Sequence, residues 1–482
     1  MTLEIFSPFS PLLPGMEGYD SYLEDVVMKA LPEAVLRPSS IEELQEIIRL
    51  CHRNGVCTTV CGNQTSVTGA SVTDKGILVS TEKLNKIEKF ELLPDGTATV
   101  TAQCGVLLST LQDECLLKGY HYPPDPTSRE EVLLGGTIAT NATGEDSYFY
   151  GSTRNYILSL DIITPEGNLL TVKRNKNPLN LPKIKNLCGY YLSGEEIDYY
   201  IDSEGTLGII ASATLLLMPA PGSYHAMILF FEKDENAFQF ICHANHQRNL
   251  LNLRALEYAD QHSTNIMKEN SSQELPQDCC SVYLKFEPKS ETESEKIIDL
   301  IMELSLISEN NETLLEQALF ASDSKELRAF RQYRHAIPST VNELARRGAQ
   351  SGGGKSSSDW WVPLEHLVTQ MNFVKQQLSR WKGSCFIFGH LGNGHPHVNL
   401  VATSKEEKLL ALEILKLCTE HAVSLGGGAC GEHGVGKLKK WALPMQWTND
   451  KLDFMKNIKQ RIDPLFRFAP DNIFSNPDGS IS

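Results

Sequence analysis

The sequence holds no C-x-x-C pair, no long uninterrupted apolar run, no surplus of positive charge and no internal repeat. Each absence removes a class of function. The twelve cysteines are scattered along the chain, so they do not build a zinc or iron–sulfur framework. Several sit in apolar runs, where cysteine acts as a small buried hydrophobe, and the set reads as reduced, which points to the cytoplasm. No stretch approaches the ~18 uncharged apolar residues that span a bilayer, so no transmembrane segment is expected. The opening MTLEIFSPFSPLLPG has no basic stretch and carries Pro8, Pro11 and Pro14, which argues against a signal peptide. A formal net charge of −16 opposes binding to nucleic acid or to an anionic membrane. It leaves room for a small anionic substrate, because a local arginine or metal reverses the field inside one pocket.

What is present fits an ordinary globular chain, 41% hydrophobic and 22% charged. At 482 residues it exceeds what one core serves. Ser40–Asn54 has a helix pattern: Ser40 and Glu43 form a capping box, Leu44, Ile47, Ile48 and Cys51 make an apolar stripe, and Gly55 ends it. A β-rich run at 56–60, strand-like Ile77–Ser80, an Asp95-Gly96 turn and a helix near 106–118 follow. The first part is therefore α+β. PAPGS at 219–223 marks a boundary. Beyond it, strand-like runs at 226–231, 282–286, 384–388 and 398–401 alternate with helices such as 293–306. That alternation fits a sheet with helices on one face. Residues 306–381 read as mostly helical, in the manner of an insertion.

Two glycine-bearing loops carry chemistry. The first follows a strand and runs Gly62, Asn63, Gln64, Thr65, Ser66, Val67, Thr68, Gly69. Its N–H groups and hydroxyls suit a pyrophosphate, as in anion-binding nests, although a surface turn uses the same residue types. The second holds Asp125 and Ser128 in PPDPTS, then Gly135-Gly136-Thr137-Ile138-Ala139-Thr140-Asn141-Ala142-Thr143-Gly144. Its small residues let a flat ring lie against backbone; tight internal packing is the plainer reading. A third piece, Ser203-Glu204-Gly205-Thr206-Leu207-Gly208-Ile209-Ile210, precedes an apolar strand.

The histidine pattern is denser than chance. His390, His395 and His397 lie within eight positions, and His395 and His397 at i, i+2 share one face of an extended strand. Imidazole is the commonest nitrogen ligand for zinc and its neighbours. Further on, Gly431-Glu432-His433-Gly434-Val435-Gly436-Lys437 offers an oxygen ligand in Glu432 and a proton acceptor in His433. The same run imitates G-x-x-x-x-G-K, but Leu438 stands where a P-loop needs Ser or Thr, and Glu432 repels phosphate.

In this order, the loops resemble the FAD-binding domain of the vanillyl-alcohol oxidase and p-cresol methylhydroxylase superfamily, within it the D-lactate, glycolate and D-2-hydroxyglutarate dehydrogenase branch. The resemblance runs from about Leu31 almost to the C-terminus. It implies that Gly62, Asn63, Gln64, Thr65, Ser66 and Gly69 hold the pyrophosphate. Asp125, Ser128, Gly135, Gly136, Asn141, Gly144, Glu204, Gly208 and Ile210 would line the flavin. The histidine and acidic loops are similar to G-H-x-G-D-G-N-x-H-x-N and G-E-H-G-x-G. They imply His390, His397 and Glu432 as metal ligands, Asn399 as a substrate contact and His433 as general base. Arg334, in Arg331–Pro338, matches the arginine that binds the substrate carboxylate, and Lys355 or one of the serines before Asp359 is a further candidate contact. The sequence departs from the pattern at Cys61, Gln64, Asn393, His395 and Pro396, lacks the histidine used for covalent flavin attachment, and has Pro338 where dicarboxylate-binding relatives carry Thr.

The resemblance thus implies an α+β protein with an N-terminal segment (1–30), a two-part FAD-binding domain (31–220), a substrate and metal domain with a helix-covered sheet (221–446) and a closing helix and tail (447–482). Its cofactors would be non-covalent FAD and a divalent metal, zinc first, with manganese or iron as the other candidates. Its reaction would be oxidation of a small 2-hydroxy acid, D-lactate or glycolate favoured, with a quinone, a cytochrome or an electron-transfer flavoprotein as acceptor. The rival readings are a D-2-hydroxyglutarate dehydrogenase, an alkyl-phosphate synthase of the same fold, and a flavin-binding subunit of a larger oxidase complex; oligomeric state stays open.

Overall fold

The computed structural model describes residues 3–183, 185–271 and 274–475; the start of the N-terminal segment and residues 476–482 of the tail lie outside them. The chain divides into two compact units. One holds the described residues of Met1–Gly144, Tyr150–Ala220 and Glu432–Ser482; the other holds Glu145–Phe149 and those of Pro221–Gly431. The second boundary falls at 431/432, ahead of the 446/447 division read from the sequence. The reason is local: buried Glu204 accepts the N–H groups of Val435 at 2.7 Å and Gly436 at 2.6 Å, tying that stretch to the first unit.

In the first unit, the helix Ile41–Asn54 forms where the sequence pattern places it. Ser40 accepts the N–H of Glu43, and Gly55 takes the left-handed conformation (φ 71°) that ends the helix. The Glu43 carboxylate caps Ser39 N–H, at 2.7 Å, one residue earlier than a standard box. Leu44, Ile47 and Ile48 are fully buried. A three-stranded parallel sheet has Ile77–Ser80 at its centre, between Ala34–Leu36 and Thr58–Cys61. A separate antiparallel sheet runs Ile87–Leu92, Ala98–Gln103, Ile209–Pro219, Ile157–Ile163, Leu169–Lys173, with Tyr120–His121 paired to Ile209–Pro219. These two sheets match the two-part domain that the sequence resemblance implies. The glycine-rich stretch expected as loop contains a short helix, Leu134–Ala139. Gly135 permits it, since a Cβ there would come within 2.7 Å of the Cys104 side chain.

The second unit is built on a seven-stranded antiparallel sheet in the order Leu319–Ala321, His225–Phe231, Cys280–Phe286, Leu253–Ala259, Ser384–His390, His395–Ala402, Gly354–Ser357. Helices cover both faces, not one. On one side Phe238, Phe240, Ile301, Met371 and Ile414 pack with Leu229, Leu284 and Leu400. On the other, Ile266, Phe330, Ile337 and Val341 pack with Ile228, Phe230 and Tyr283. The strand His225–Phe231 is buried at every position, the continuous apolar run of a doubly covered strand. Residues 306–381 are no insertion, because Leu319–Ala321 and Gly354–Ser357 are the two edge strands of this sheet. The intervening helix Ser324–Ala349 runs straight through Pro338. Among the described residues, no helix is long and apolar enough to cross a membrane.

Candidate functional site

The first unit presents the loop after Thr58–Cys61 as bare backbone. Among the described residues, the N–H groups of Asn63 to Val67 have no protein acceptor. A row of unsatisfied donors is costly unless water or an anion accepts them, so this loop fits a pyrophosphate. Gln64 adopts φ 54°, the left-handed region that favours glycine. Its amide donates to Tyr22 O at 2.9 Å, anchoring the strained residue. Asn63 is fixed by its amide to Glu131 O, Ser66 Oγ lies 3.1 Å from Thr68 Oγ1, and Gly69 (φ 75°) abuts Met28.

The flavin-lining candidates divide in two. Gly135 and Gly144 have a packing reason of their own: a Cβ at Gly144 would stand 1.9 Å from the carbonyl oxygen of Asp125. Gly208 likewise faces Ile163 O, and Ile210 sits on the antiparallel sheet opposite Ile162. Gly136 and Gly62 differ, since a Cβ on either would meet nothing closer than 3.4 Å; packing within the chain does not demand glycine there. Ser128 accepts two N–H groups through its carbonyl. Asn141 (φ 43°) accepts the N–H of Arg154 at 2.8 Å. The Arg154 guanidinium is buried against Asp198 at 2.6 Å and reaches Ile201 O, so one residue ties the 135–144 segment to the stretch that leads into 203–210. Arg154 escaped the sequence reading. Burial pushes the Glu204 carboxyl up to about 7, partly countered by the Val435 and Gly436 N–H groups and by Lys437. Burial also lowers the Lys437 ammonium to about 8. In the same unit Glu432 pairs with Lys185 and accepts Thr143 Oγ1 at 2.7 Å, while His433 is half-buried.

The second unit gathers the three histidines at one strand end. His390 closes Ser384–His390 and faces His395 across a tight turn in which Gly394 (φ 65°) approaches Val362 O. His395 and His397 share a face with ring centroids 4.8 Å apart, and His390 lies 5.5 Å from His397. His395 is fully buried, with Nε2 3.5 Å from Asp359 and its ring against Gly431, the residue before Glu432. Asn399, next on that face, is tied to Ser357 Oγ (2.9 Å) and His397 O (3.0 Å).

Arg334 and His390 join through a residue the sequence reading missed. Glu257 accepts Arg334 Nη2 at 2.9 Å with one oxygen and meets His390 Nδ1 at 2.7 Å with the other. That bond directs His390 Nε2 outward, the arrangement of a carboxylate-oriented metal ligand. Arg334 Nη1 pairs with Glu145, and its guanidinium lies 4.6 Å from the Tyr283 ring. Lys285 binds Asp146 and, at 3.2 Å, Glu145. Burial alone would raise the Glu145 and Glu257 carboxyls. Arg334 and Lys285 at Glu145, and His390 and Arg334 at Glu257, overcome it and hold both below the usual range. Lys355 lies apart, donating to Asn342 at 2.6 Å. The available signal was a glutamate inside the buried strand Leu253–Ala259, where an unpaired charge is rare.

Comparison with known proteins matches residues 32–173 to an FAD binding domain and residues 221–473 to the family described as FAD linked oxidases, C-terminal domain. The glycolate oxidase subunit GlcD of Bacillus subtilis is 26% identical, covering 93% of this chain and 90% of its own length. The D-lactate dehydrogenase of Anaerostipes hadrus is 27% identical, covering 98% and 96%. A D-2-hydroxyglutarate dehydrogenase of Stutzerimonas stutzeri is 26% identical, covering 92% and 91%. Among solved structures, an alkyldihydroxyacetonephosphate synthase superposes with a TM-score of 0.64 at 17% identity, covering 92% of this chain and 76% of that one; this likeness is one of fold.

Proposed function

The chain belongs to the FAD-linked oxidases, and from that premise we propose that it oxidises a small 2-hydroxy acid, D-lactate or glycolate, to the 2-oxo acid. It is an FAD-binding oxidoreductase; the substrate is our inference. The observation that carries it is the continuous Arg334–Glu257–His390 chain beside His397, which sets a carboxylate-binding cation next to imidazoles suited to a hydroxyl. The names of the relatives support the same substrate class.

In this reading 31–220 serves the cofactor and 221–446 serves substrate and metal. The Asn63–Val67 N–H row would donate to the pyrophosphate, and Gly62 and Gly136, which internal packing does not require, would let the ring approach the backbone. Non-covalent FAD would supply the two-electron acceptor, with a quinone, cytochrome or electron-transfer flavoprotein as the candidate partner for its electrons. His390 and His397 would hold a divalent cation, zinc first, and Glu432 is the oxygen donor that the sequence pattern adds to them. Such a cation supplies a Lewis acid that makes a bound hydroxyl easier to ionise. Arg334 grips the carboxylate and fixes the α-carbon. Asn399 borders the substrate, and His433 accepts the hydroxyl proton.

Anaerobic addition of D-lactate, glycolate, L-lactate and D-2-hydroxyglutarate to the yellow protein tests this directly. D-lactate or glycolate bleaches the flavin; bleaching by none of the four overturns the reading. D-2-hydroxyglutarate is the second reading, because relatives of that name are equally similar, and bleaching by it alone would establish it.

A further inference from the structure

The substrate arginine described above is already fully engaged. Its Nη2 is held by Glu257, whose other oxygen is fixed on His390, and its Nη1 by Glu145, whose other oxygen is 3.2 Å from Lys285. The two carboxylates are not equivalent. The Glu257 side chain is 5% exposed, that of Glu145 18%, against 17% for Arg334. Glu257 is thus enclosed, and Glu145 sits at the accessible end of the guanidinium.

A carboxylate entering this site meets Arg334 where Glu145 stands. We propose that Glu145 is a stand-in for the substrate carboxylate, displaced from Arg334 onto Lys285 when a 2-hydroxy acid binds, and that it thereby selects monocarboxylates. This rests on the role given to Arg334 above. The exchange is isoelectric at Arg334, since one carboxylate leaves as another arrives, and Lys285 retains the displaced group. It also explains how a buried guanidinium stays oriented with no substrate present, where an uncompensated charge would be costly.

Selection follows from how the carboxylates are paired. Arg334 and Lys285 face Glu145, Asp146 and Glu257, so the carboxylates on this pair of cations outnumber them. A first substrate carboxylate can replace Glu145 on Arg334. A second carboxylate finds both cations already paired and would stand beside Asp146 and the displaced Glu145, like charges that repel it. The acceptable substituent on the α-carbon is therefore small and uncharged.

Calorimetric titration of the FAD-loaded protein with pyruvate, the 2-oxo product of D-lactate, and with 2-oxoglutarate tests this. The wild-type protein binds pyruvate more tightly than 2-oxoglutarate. Glu145→Gln, which removes the competing charge and keeps the shape, tightens pyruvate about tenfold and 2-oxoglutarate by more; Glu145→Ala does the same should the glutamine variant fold poorly. A merely structural role for Glu145 cannot produce tighter binding. Unchanged or weaker pyruvate binding in a variant with wild-type flavin content overturns the proposal. Arg334→Met separates the two levels. If it abolishes pyruvate binding while the Glu145 variants gain nothing, the stand-in is wrong and the substrate reading survives. If pyruvate still binds to Arg334→Met, the assignment of Arg334 fails, and the stand-in with it.

Discussion

The two units solve the problem of holding an anion in opposite ways. The first offers bare backbone: the Asn63–Val67 N–H groups have no protein acceptor among the described residues, and the loop is partly open. The second offers a closed set of charges in which Arg334, Lys285, Glu145, Asp146 and Glu257 are paired with one another before any ligand arrives. A row of dipoles binds an anion of fixed shape at little desolvation cost. A network of buried ions binds by exchange, and its selectivity lies in what must be displaced. On the roles proposed above, cofactor affinity would depend on loop geometry, and substrate choice on which side-chain charges must be displaced.

The largest way to break this comparison is Glu257→Gln. It leaves an acceptor for Arg334 but puts an amide N–H where His390 Nδ1 met a carboxylate oxygen, so the charged link is lost. Activity with D-lactate should fall roughly 10- to 100-fold, the usual penalty for losing the partner that orients a ligating histidine, with flavin content unchanged. A parallel loss of FAD would show that the units do not divide the work.

A second test uses pH and falls on the first unit. The folded Glu204 carboxyl is raised by burial from 4.5 to about 7, so its protonated form is favoured in the folded state. Its contribution to stability is complete below about pH 4.5 and is lost as pH rises through about 7. Lys437, lowered by burial to about 8 from 10.5, acts in a separate window, where stability grows between those values. The melting temperature of FAD-saturated protein should therefore drop by on the order of 5 °C between pH 5 and 7.5, and Glu204→Gln should flatten that slope. A slope unchanged in the variant would place the titrating group elsewhere.

The same contrast accounts for what the sequence revealed. Helix Ile41–Asn54 was legible because cap, stripe and stop lie within sixteen consecutive residues, Ser40 to Gly55. The pyrophosphate loop and the histidine strand were legible as candidates for the same reason: each is one short run whose residue types carry the meaning. Glu257, Glu145, Lys285 and Arg154 were not. Each looks like an ordinary charged residue until the fold brings it to a partner distant in the chain, as Glu145 is from Arg334. The second layer of helices was hidden differently, since a strand buried on both faces shows no alternation, and AMILFF does not say how many helices cover it.

The smallest effect concerns Gln64, and it asks whether the backbone row needs its strained residue. At φ 54° a non-glycine residue carries about 1 kcal/mol of strain, opposed here by the amide bonds to Tyr22 O and Ser71 O. Gln64→Gly loses those bonds and also the strain, so stability should change by less than about 1 kcal/mol. Gln64→Ala loses the bonds and keeps the strain, so it should melt roughly 2–4 °C lower than the glycine variant. If the loop works through its left-handed turn, FAD binds the glycine variant within about threefold of wild type, because the N–H groups stay aligned. Should the glycine variant be the weaker of the two for FAD, the side-chain anchor of Gln64, and not the turn, is what holds the row in place.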